Sequence, residues 1–525
     1  MLVLPPPSAS LAALLAVVLT YLVVPVVAAL RRKLRISAGL KPVAGPKGWP
    51  LLGMLPDILS HAPRVHEFTE SLMVQYGGRV KIPWSLFGDS SLWLASAEDV
   101  QHVLATNHDN YVRAQRFIGS VGRVFDKSFL GLNHAHTADG GTMIKLQRKV
   151  GIKVFTTTNF RVFTDQIFHK YAAKMVELVK QKGGKCDMHE ISSQYTLQAI
   201  FDIGCGIPLQ DVDPSLGLSF IKAMDYVFSY VTERLTTKPY YKYFWWCMPS
   251  EYEMRRNEQV MIDLADSLLS KRLQESDDEM APRADIISLF IKKARELQDG
   301  EGTSILDLET LRSIFLSFVF AGKDTSASTI TYTFYALAQY PDVQQKLFQE
   351  LKQYSNKGSK TPLTFDDIKK LPYLDAVVNE TMRLYPTLPM NFKVAVEDDH
   401  LPDGTFIPAG TEMVYNPWYM GRHNPIFGED REVFRPERWL EMKTRPSAYD
   451  FPVFQGGPRI CIGMSMAVIE VRLFVAVMVR EFSVAIQEGE QLVDRPYVLS
   501  PTMTMEGGLP VQMTARTKLQ SALFE

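Results

Sequence analysis

A glycine-rich loop near the carboxyl end of the chain places the strongest constraint on what it can fold into. The loop, residues 454–463, reads Phe-Gln-Gly-Gly-Pro-Arg-Ile-Cys-Ile-Gly and leads into an apolar helical stretch, residues 464–479. Adjacent glycines let a backbone approach a flat ligand closely. A cysteine just before a helix is favoured as a thiolate by amide groups and the helix dipole. These features predict that Cys461 binds a haem iron, because a thiolate ligand promotes O–O cleavage at haem.

Other residues of this loop have predicted roles around the same haem. Arg459 is placed to pair with a haem propionate, and Phe454 to cover the ring edge beside the sulfur. Gly456 and Gly463 are the loop glycines expected to lie against the cofactor. Taken alone, the loop has an alternative interpretation as a glycine-rich turn that happens to contain a cysteine.

The remaining cysteines carry no comparable signal. Cys186, Cys205 and Cys247 are widely spaced, which gives neither a zinc-binding pair nor a disulfide framework. Each is predicted to be buried as a small apolar side chain. The formal net charge is −1, and the sequence has no long basic run, so nucleic-acid binding has little electrostatic support.

The amino terminus predicts a membrane anchor. No charged side chain precedes Arg31, and the run Ser8–Leu30 is rich in leucine, valine and alanine. As a helix it would span about 35 Å at about 1.5 Å per residue, enough to cross a bilayer. Arg31, Arg32, Lys33 and Arg35 follow, and the positive-inside rule then places the rest of the chain in the cytosol. A cleaved signal peptide, the alternative, would carry positive charge before a shorter apolar run.

These signals divide the chain into three parts. Residues 1–35 form the anchor and its basic cluster, residues 36–53 a Pro- and Gly-rich spacer, and residues 54–525 a single domain. That domain is predicted to be mostly α-helical with a small β region. Strands are expected at 79–83, at 91–94 and within 393–414, and helices at 194–203, 216–235 and about 305–339. The aromatic run 240–246 is open to two interpretations, core packing or a loop touching the membrane surface.

Glu380 and Arg383 form a second element. Three residues apart on a helix, they share one face and can pair. Their apolar neighbours predict partial burial, where the arginine needs further acceptors. Arg438 lies downstream as a third charged partner. The alternative for the Glu380–Arg383 pair alone is a solvated surface pair of little energetic worth.

A third element is the segment Ala-Gly-Lys-Asp-Thr-Ser, residues 321–326, in the middle of the long predicted helix. Glycine and side chains that compete for backbone hydrogen bonds are costly there, so the segment predicts a local break. Such a break often marks a functional groove. Asp324 and Thr325 are then the candidates for moving protons during O₂ activation. A Ser/Thr-rich kink without function is the alternative.

The three elements, in this order, resemble the cytochrome P450 superfamily over roughly residues 42–515. The resemblance implies a helical haem-thiolate domain with a long central helix, haem b as cofactor and O₂ as substrate. Cys461 is then the proximal thiolate, and Thr325 delivers protons with Asp324 as its acid partner. Too few residues follow Cys461 for a fused reductase, so a separate NADPH-cytochrome P450 reductase is expected. The predicted anchor and the resemblance together imply an endoplasmic reticulum membrane location. The implied buried triad, required for the fold and for haem retention, is Glu380, Arg383 and Arg438.

Arg148 resembles a second propionate contact of this superfamily. The usual pattern is Trp-x-x-x-Arg, and here Ile144 stands in the tryptophan position. One propionate hydrogen bond is therefore lost, and Lys145 is a candidate to replace it.

Several framework motifs point to a closer resemblance. They are Asp139-Gly140 with Leu-Gln-Arg-Lys at 146–149, Phe-Asp-Ile-Gly-Cys-Gly at 201–206, Leu-Pro-Asp-Gly-Thr at 401–405 and Tyr-Met-Gly-Arg at 419–422. With these motifs the chain resembles eukaryotic long-chain fatty-acid ω-hydroxylases, which implies terminal or near-terminal hydroxylation of a fatty acid.

Two alternatives remain open at this point. One is an isomerase or dehydratase acting on lipid hydroperoxides without a reductase, and the other is a haem-binding sensor. The acid–alcohol pair Asp324 and Thr325 argues against both.

Overall fold

The structure is a computed structural model that describes residues 23–516, apart from 87, 115–118, 122, 131–137, 213, 236–237, 239–240, 297–305, 355–361 and 499. Helices dominate it and strands are few and short, which confirms the predicted mostly helical fold with a small β region. The helices are α1 Val24–Gly39, α2 Leu55–Ser60, α3 Val65–Gln75, α4 Ala97–Gln101, α5 Ala138–Val154, α6 Thr157–Val162, α7 His169–Gln181, α8 Met188–Cys205, α9 Pro214–Leu235, α10 Tyr241–Phe244, α11 Pro249–Gln274, α12 Asp277–Met280, α13 Ile286–Arg295, α14 Leu308–Gln339, α15 Pro341–Tyr354, α16 Phe365–Lys369, α17 Pro372–Leu384, α18 Pro417–His423, α19 Arg438–Glu441 and α20 Met464–Glu481. The strands are β1 Val80–Ile82, β2 Ser91–Leu94, β3 Tyr111–Arg113, β4 Lys185–Asp187, β5 Asn391–Ala395, β6 Asp399–His400, β7 Phe406–Ile407, β8 Glu412–Tyr415, β9 Phe482–Ile486, β10 Tyr497–Val498, β11 Thr504–Met505 and β12 Pro510–Ala515.

Helix α14 is buried over most of its 32 residues, about 48 Å at about 1.5 Å per residue. Asp307 caps its start by accepting a hydrogen bond from the Thr310 amide. Helix α8 packs along it, and a Cβ added to Gly322 would lie 2.8 Å from Ile200 Cγ1. Glycine at this position is therefore what lets the two helices approach each other.

The predicted break in α14 at residues 321–326 is wrong, because the helix runs without interruption from Leu308 to Gln339. Thr325 Oγ1 donates to the Ala321 carbonyl at 2.5 Å, and Thr329 Oγ1 donates to the Thr325 carbonyl at 3.1 Å. Hydroxyls bonded one turn back leave the helical N–H groups to their own partners. The polar cluster is thus accommodated inside a continuous helix.

The largest sheet has five strands in the order β1-β2-β8-β5-β3 and confirms the strands expected near 80, at 91–94 and within 393–414. Strands β2 and β8 pair in parallel, and the other neighbours are antiparallel. In the β3–β5 pair, Arg113 lies directly opposite Lys393. Like charges in that position destabilise a sheet, so the pairing requires a compensating interaction.

The basic cluster that follows the predicted anchor contacts the globular domain. Helix α1 carries it, with Arg32 Nη2 2.8 Å from Asp89 Oδ2 and Arg35 Nη2 2.5 Å from Asp398 Oδ2. Ile36 is buried in the core beneath the five-stranded sheet. In the part of the chain that the structure describes, no helix has the length and apolar character needed to cross a membrane. The predicted anchor falls mainly on residues 1–22, outside the described residues.

The aromatic segment near α10 is largely open to solvent. Phe244, Trp245 and Trp246 are exposed, the last by 61%, which excludes core packing for these three side chains. Cys247 beside them is also exposed, so its predicted burial is wrong. A hydrogen bond from the Tyr252 hydroxyl to the Trp246 carbonyl holds this segment at the surface. Cys186 and Cys205 are buried, as predicted.

Candidate functional site

The Cys461 loop is closed by its own backbone and by protein neighbours. The Cys461 amide donates to the Phe454 carbonyl at 2.8 Å. Gly457 has φ +60°, and a Cβ there would collide with the Leu104 carbonyl, while one at Gly456 would lie 2.9 Å from the Tyr449 ring. These adjacent glycines therefore pack the loop against protein, and the expectation that Gly456 also lies against the cofactor stays a prediction. A Cβ at Gly463 would meet no described atom within 4 Å.

Cys461 lies just before α20, as its sequence context indicated. Its side chain is accessible to solvent, yet enough protein surrounds the thiol that burial raises its pKa. The Gly463 amide, Arg148 and the Met464 amide act in the opposite direction and favour the thiolate. Metal coordination would deprotonate this thiol outright.

Four cationic side chains come together beside the thiol, and we call them the cation cluster: Arg113, Arg148, Lys393 and Arg459. Arg148 donates to the Ile460 carbonyl at 2.9 Å, next to Cys461. Burial, Arg113 and Arg459 lower the pKa of Lys393 to about 7. Burial together with neighbouring arginines likewise lowers the pKa of Arg113 and of Arg459 to about 10. Gathering positive charge in a protein-lined space is unfavourable unless an anion offsets it.

The sequence placed Arg148 and Arg459 in this cluster but missed Arg113 and Lys393. Their meeting depends on the register between β3 and β5, which lie far apart in the sequence. Ile144 is buried, and Lys145, the candidate replacement for the missing tryptophan, is exposed. The lysine that lies with the three arginines is Lys393 instead.

Glu380, Arg383 and Arg438 form a buried network in which almost every polar atom is bonded. Glu380 and Arg383 have no exposed surface, and Arg438 has almost none. Arg383 Nε and Nη2 each donate to Glu380 at 2.8 Å, and Arg438 Nε donates to it at 2.9 Å. The Trp439 indole and the Arg435 amide add further bonds to Glu380, both at 2.8 Å. The arginines also donate to carbonyl groups in the segment 421–433. The alternative of a solvated Glu380–Arg383 pair is excluded.

Asp324 and Thr325 lie side by side on α14, but their polar groups point to different partners. The Thr325 hydroxyl bonds back to the Ala321 carbonyl. Asp324 Oδ1 accepts a hydrogen bond from Lys323 Nζ at 2.9 Å. Ser326 donates at 2.7 Å to Glu470 of α20, whose pKa burial raises to about 8. Helix α14 is thereby tied to the helix that begins behind Cys461.

The sequence model of one family, described as Cytochrome P450, matches residues 43–505. This chain belongs to the cytochrome P450 family. Cytochrome P450 704B1 of Arabidopsis thaliana is 28% identical over 525 residues, covering 91% of this chain and 96% of that protein. Cytochrome P450 94A2 of Vicia sativa is 28% identical over 504 residues, covering 90% and 92%. Cytochrome P450 94A1 of Vicia sativa is 27% identical over 494 residues, covering 90% of each chain.

Membership of this family makes the chain a cytochrome P450 monooxygenase, which uses haem iron, O₂, a redox partner and a lipophilic substrate. The site fits a haem on three observations. The Cys461 thiol is accessible to solvent, a Cβ at Gly463 would meet no described atom within 4 Å, and the positive charge of the cation cluster is complementary to two propionates. Phe454 packs against the main hydrophobic core beside this loop.

Proposed function

We propose that this P450 hydroxylates a long-chain fatty acid at or near its terminal carbon, and that the Cys461 thiolate would bind the iron of haem b. The observation that carries the haem assignment is the cation cluster beside an accessible thiol. Arg113, Arg148, Lys393 and Arg459 would bind the two propionates, and Gly463 would lie against the ring. Haem bound through a thiolate supplies the activation of O₂.

The chain's own residues would supply protons and orientation. One oxygen atom enters a C–H bond of the substrate and the other leaves as water, which takes two electrons and two protons. The electrons would come from NADPH through a separate cytochrome P450 reductase. Asp324 and Thr325 would pass the protons, with the Thr325 hydroxyl leaving the Ala321 carbonyl to do so. The network around Glu380 would hold α17 and α19 together and so support the fold on which haem retention depends.

The fatty-acid assignment rests on the framework motifs shared with long-chain fatty-acid ω-hydroxylases. The motif at 401–405 forms the turn between β6 and β7, where Gly404 has φ +86°. The exposed side chains of Phe244, Trp245 and Trp246 suit a loop at a lipid surface, where Trp residues are enriched. We place the anchor at residues 1–35, spanning the endoplasmic reticulum membrane once with the catalytic domain in the cytosol.

Substrate turnover tests the activity. The full chain, in membranes with reductase and NADPH, is offered fatty acids of increasing length, a sterol and a terpene. We expect a substrate-induced spectral shift and terminal hydroxylation with the fatty acids alone. Turnover confined to sterols or terpenes would overturn the substrate class, and conversion of lipid hydroperoxides without NADPH would favour an isomerase or dehydratase.

The first prediction concerns the iron ligand. Cys461→Ser is expected to abolish the long-wavelength ferrous–CO absorption band typical of thiolate haem, because an alcohol is a poor substitute for thiolate. Cys247→Ser, which changes an exposed cysteine far along the chain, is the matched control and should keep the band. An unchanged band in Cys461→Ser would reject the ligand assignment.

A further inference from the structure

Lys323, the residue before Asp324, occupies an unusual position on α14. Its side chain is buried, with only 10% of its surface exposed. Its Nζ lies 2.9 Å from Asp324 Oδ1 and 2.9 Å from Asp225 Oδ1 on α9. A single ammonium thus bridges the proposed proton-donating acid to an acid on another helix. Such a bridge requires both carboxylates to be in place, because a buried lysine charge is costly without them.

The two carboxylates differ in their access to water. The Asp225 side chain is 56% exposed, whereas that of Asp324 is 28% exposed. Asp225 is therefore the more exposed end of the bridge, and Asp324 is the end that adjoins Thr325 on α14. Burial would lower the pKa of Lys323, but Asp324 and Asp225 outweigh it and raise the pKa, so the Lys323 side chain carries a positive charge.

Contacts from neighbouring helices fix the backbone and stem of Lys323. The Thr196 hydroxyl of α8 donates to the Lys323 carbonyl at 2.8 Å. The ammonium also lies 5.7 Å from the centre of the Phe228 ring on α9, within cation–π range. His189 at the start of α8 faces the same charges, and Asp187 acts on that histidine. The charged and titratable groups around the bridge are therefore Asp225, Asp324, His189 and Asp187.

We propose that Lys323 is a positioning residue that joins Asp324 to Asp225, so that protons enter from solvent at Asp225 and their delivery depends on the position of α9. While the bridge is intact, Asp324 is held by the Lys323 ammonium. A shift of α9 that separates Asp225 from Lys323 alters the charge around Asp324 and with it the supply of protons to Thr325. The proposal rests on the proposed monooxygenase function for its kinetic consequences.

Two substitutions act on Asp324 in opposite directions. Lys323→Met removes the positive charge that stabilises the Asp324 carboxylate. Asp225→Asn removes the second carboxylate, so the whole lysine charge acts on Asp324. With the substrate that gives turnover, the ratio of product to released hydrogen peroxide is measured against pH. We expect its midpoint to move up in Lys323→Met, down in Asp225→Asn, and back toward the parent in Lys323→Arg.

The control is Asp263→Asn, which removes an exposed carboxylate on α11 and should leave the midpoint unchanged. Thr325→Ala removes the hydroxyl that is proposed to pass protons. It should raise hydrogen peroxide release at every pH and shows the result expected when proton delivery is lost. Midpoints that stay fixed in both Lys323→Met and Asp225→Asn, or move in the same direction, would overturn the proposal while leaving the monooxygenase function intact.

A second measurement is independent of turnover. In a double-mutant cycle on thermal unfolding of the full chain, the combined variant should lose no more Tm than Lys323→Met alone, because both single changes break one bridge. Additive losses would show that the residues do not interact and would overturn the proposal. Failure to hydroxylate any substrate would instead contradict the proposed function, and the cycle would still decide whether the bridge exists.

Discussion

Two charged regions of this P450 are built on opposite principles. Around Glu380, two arginines, an indole and a backbone amide converge on one carboxylate, and the arginines also donate to backbone carbonyls. In the cation cluster, burial and two arginines lower the pKa of Lys393, and two positive side chains face each other across β3 and β5. The first region pairs opposite charges, and the second brings like charges together.

The difference indicates which region is scaffold and which is binding site. A buried charge network contributes to a single folded arrangement only when its polar atoms are satisfied. Cations held close together lower the stability of the folded chain when no anion is bound. Binding of two negative charges, such as the two haem propionates, would raise that stability. We therefore propose that the cation cluster lowers the stability of the haem-free chain and raises its affinity for haem, whereas the Glu380 network serves the fold alone.

The largest expected effect is at Glu380. Glu380→Ala leaves Arg383 and Arg438 buried without their shared carboxylate, and we expect a loss of about 3–5 kcal/mol in unfolding free energy. Thermal denaturation and haem absorbance measure this effect, as loss of folded protein and of bound haem. Glu177→Ala is the matched control, because Glu177 also pairs three residues along a helix, with Lys180, but at the surface.

Glu177→Ala is expected to lower the free energy of unfolding by about 0.5 kcal/mol or less, because surface ion pairs contribute little. A Glu380→Ala protein that keeps its haem and unfolds like Glu177→Ala would show that the network is not the scaffold. The contrast between the two regions would then be lost.

Lys393→Met should have effects of opposite sign on the two states of the protein. We expect the haem-free chain to gain about 1–4 kcal/mol, because a methionine replaces a buried charge, and the loaded protein to release haem faster. Unfolding of the haem-free chain and transfer of haem to a scavenging protein measure the two effects. Lys185→Met, at an exposed strand position, is the control. A variant in which both states lose stability would contradict this proposal for the cation cluster.

The same lysine sets a pH dependence. Its pKa is about 7 in the folded haem-free chain against an ordinary value of 10.5. The folded state then binds fewer protons than the unfolded state between these values, so stability rises with pH across that interval. The loss of folding stability caused by burying protonated Lys393 is complete below about pH 7 and disappears toward pH 10.5. Lys393→Met should flatten this part of the stability profile.

The two regions also differ in how far the sequence alone reveals them. Glu380 and Arg383 are one helical turn apart, so their pairing follows from local geometry and their apolar neighbours. Arg113 and Lys393 meet only because β3 and β5 pair in one register, which depends on the whole fold. A lysine in a half-buried strand is the single local signal that marks Lys393.

The central helix shows a similar division. Its length follows from the local pattern, but its continuity through residues 321–326 does not. A threonine hydroxyl can bond one turn back or compete with the helix, and the sequence does not distinguish these outcomes. At Gly456 and Gly457, likewise, the sequence indicates a need for glycine but not that Tyr449 and Leu104 are what the loop must approach.

The smallest expected effect is at the basic cluster of α1. This third charged region is neither a buried network of opposite charges nor a cluster of like charges. Arg32 and Asp89 form an ion pair in which the arginine side chain is 58% exposed. Arg32→Ala should cost about 0.2–1 kcal/mol at low salt, and the loss should shrink in about 1 M salt, where the screening length is about 3 Å. Denaturation at both salt concentrations measures this, with Lys47→Ala as the control for removing an exposed positive charge nearby. A loss of several kcal/mol that salt does not reduce would mean that α1 is bound to the domain as firmly as the Glu380 network binds its own parts.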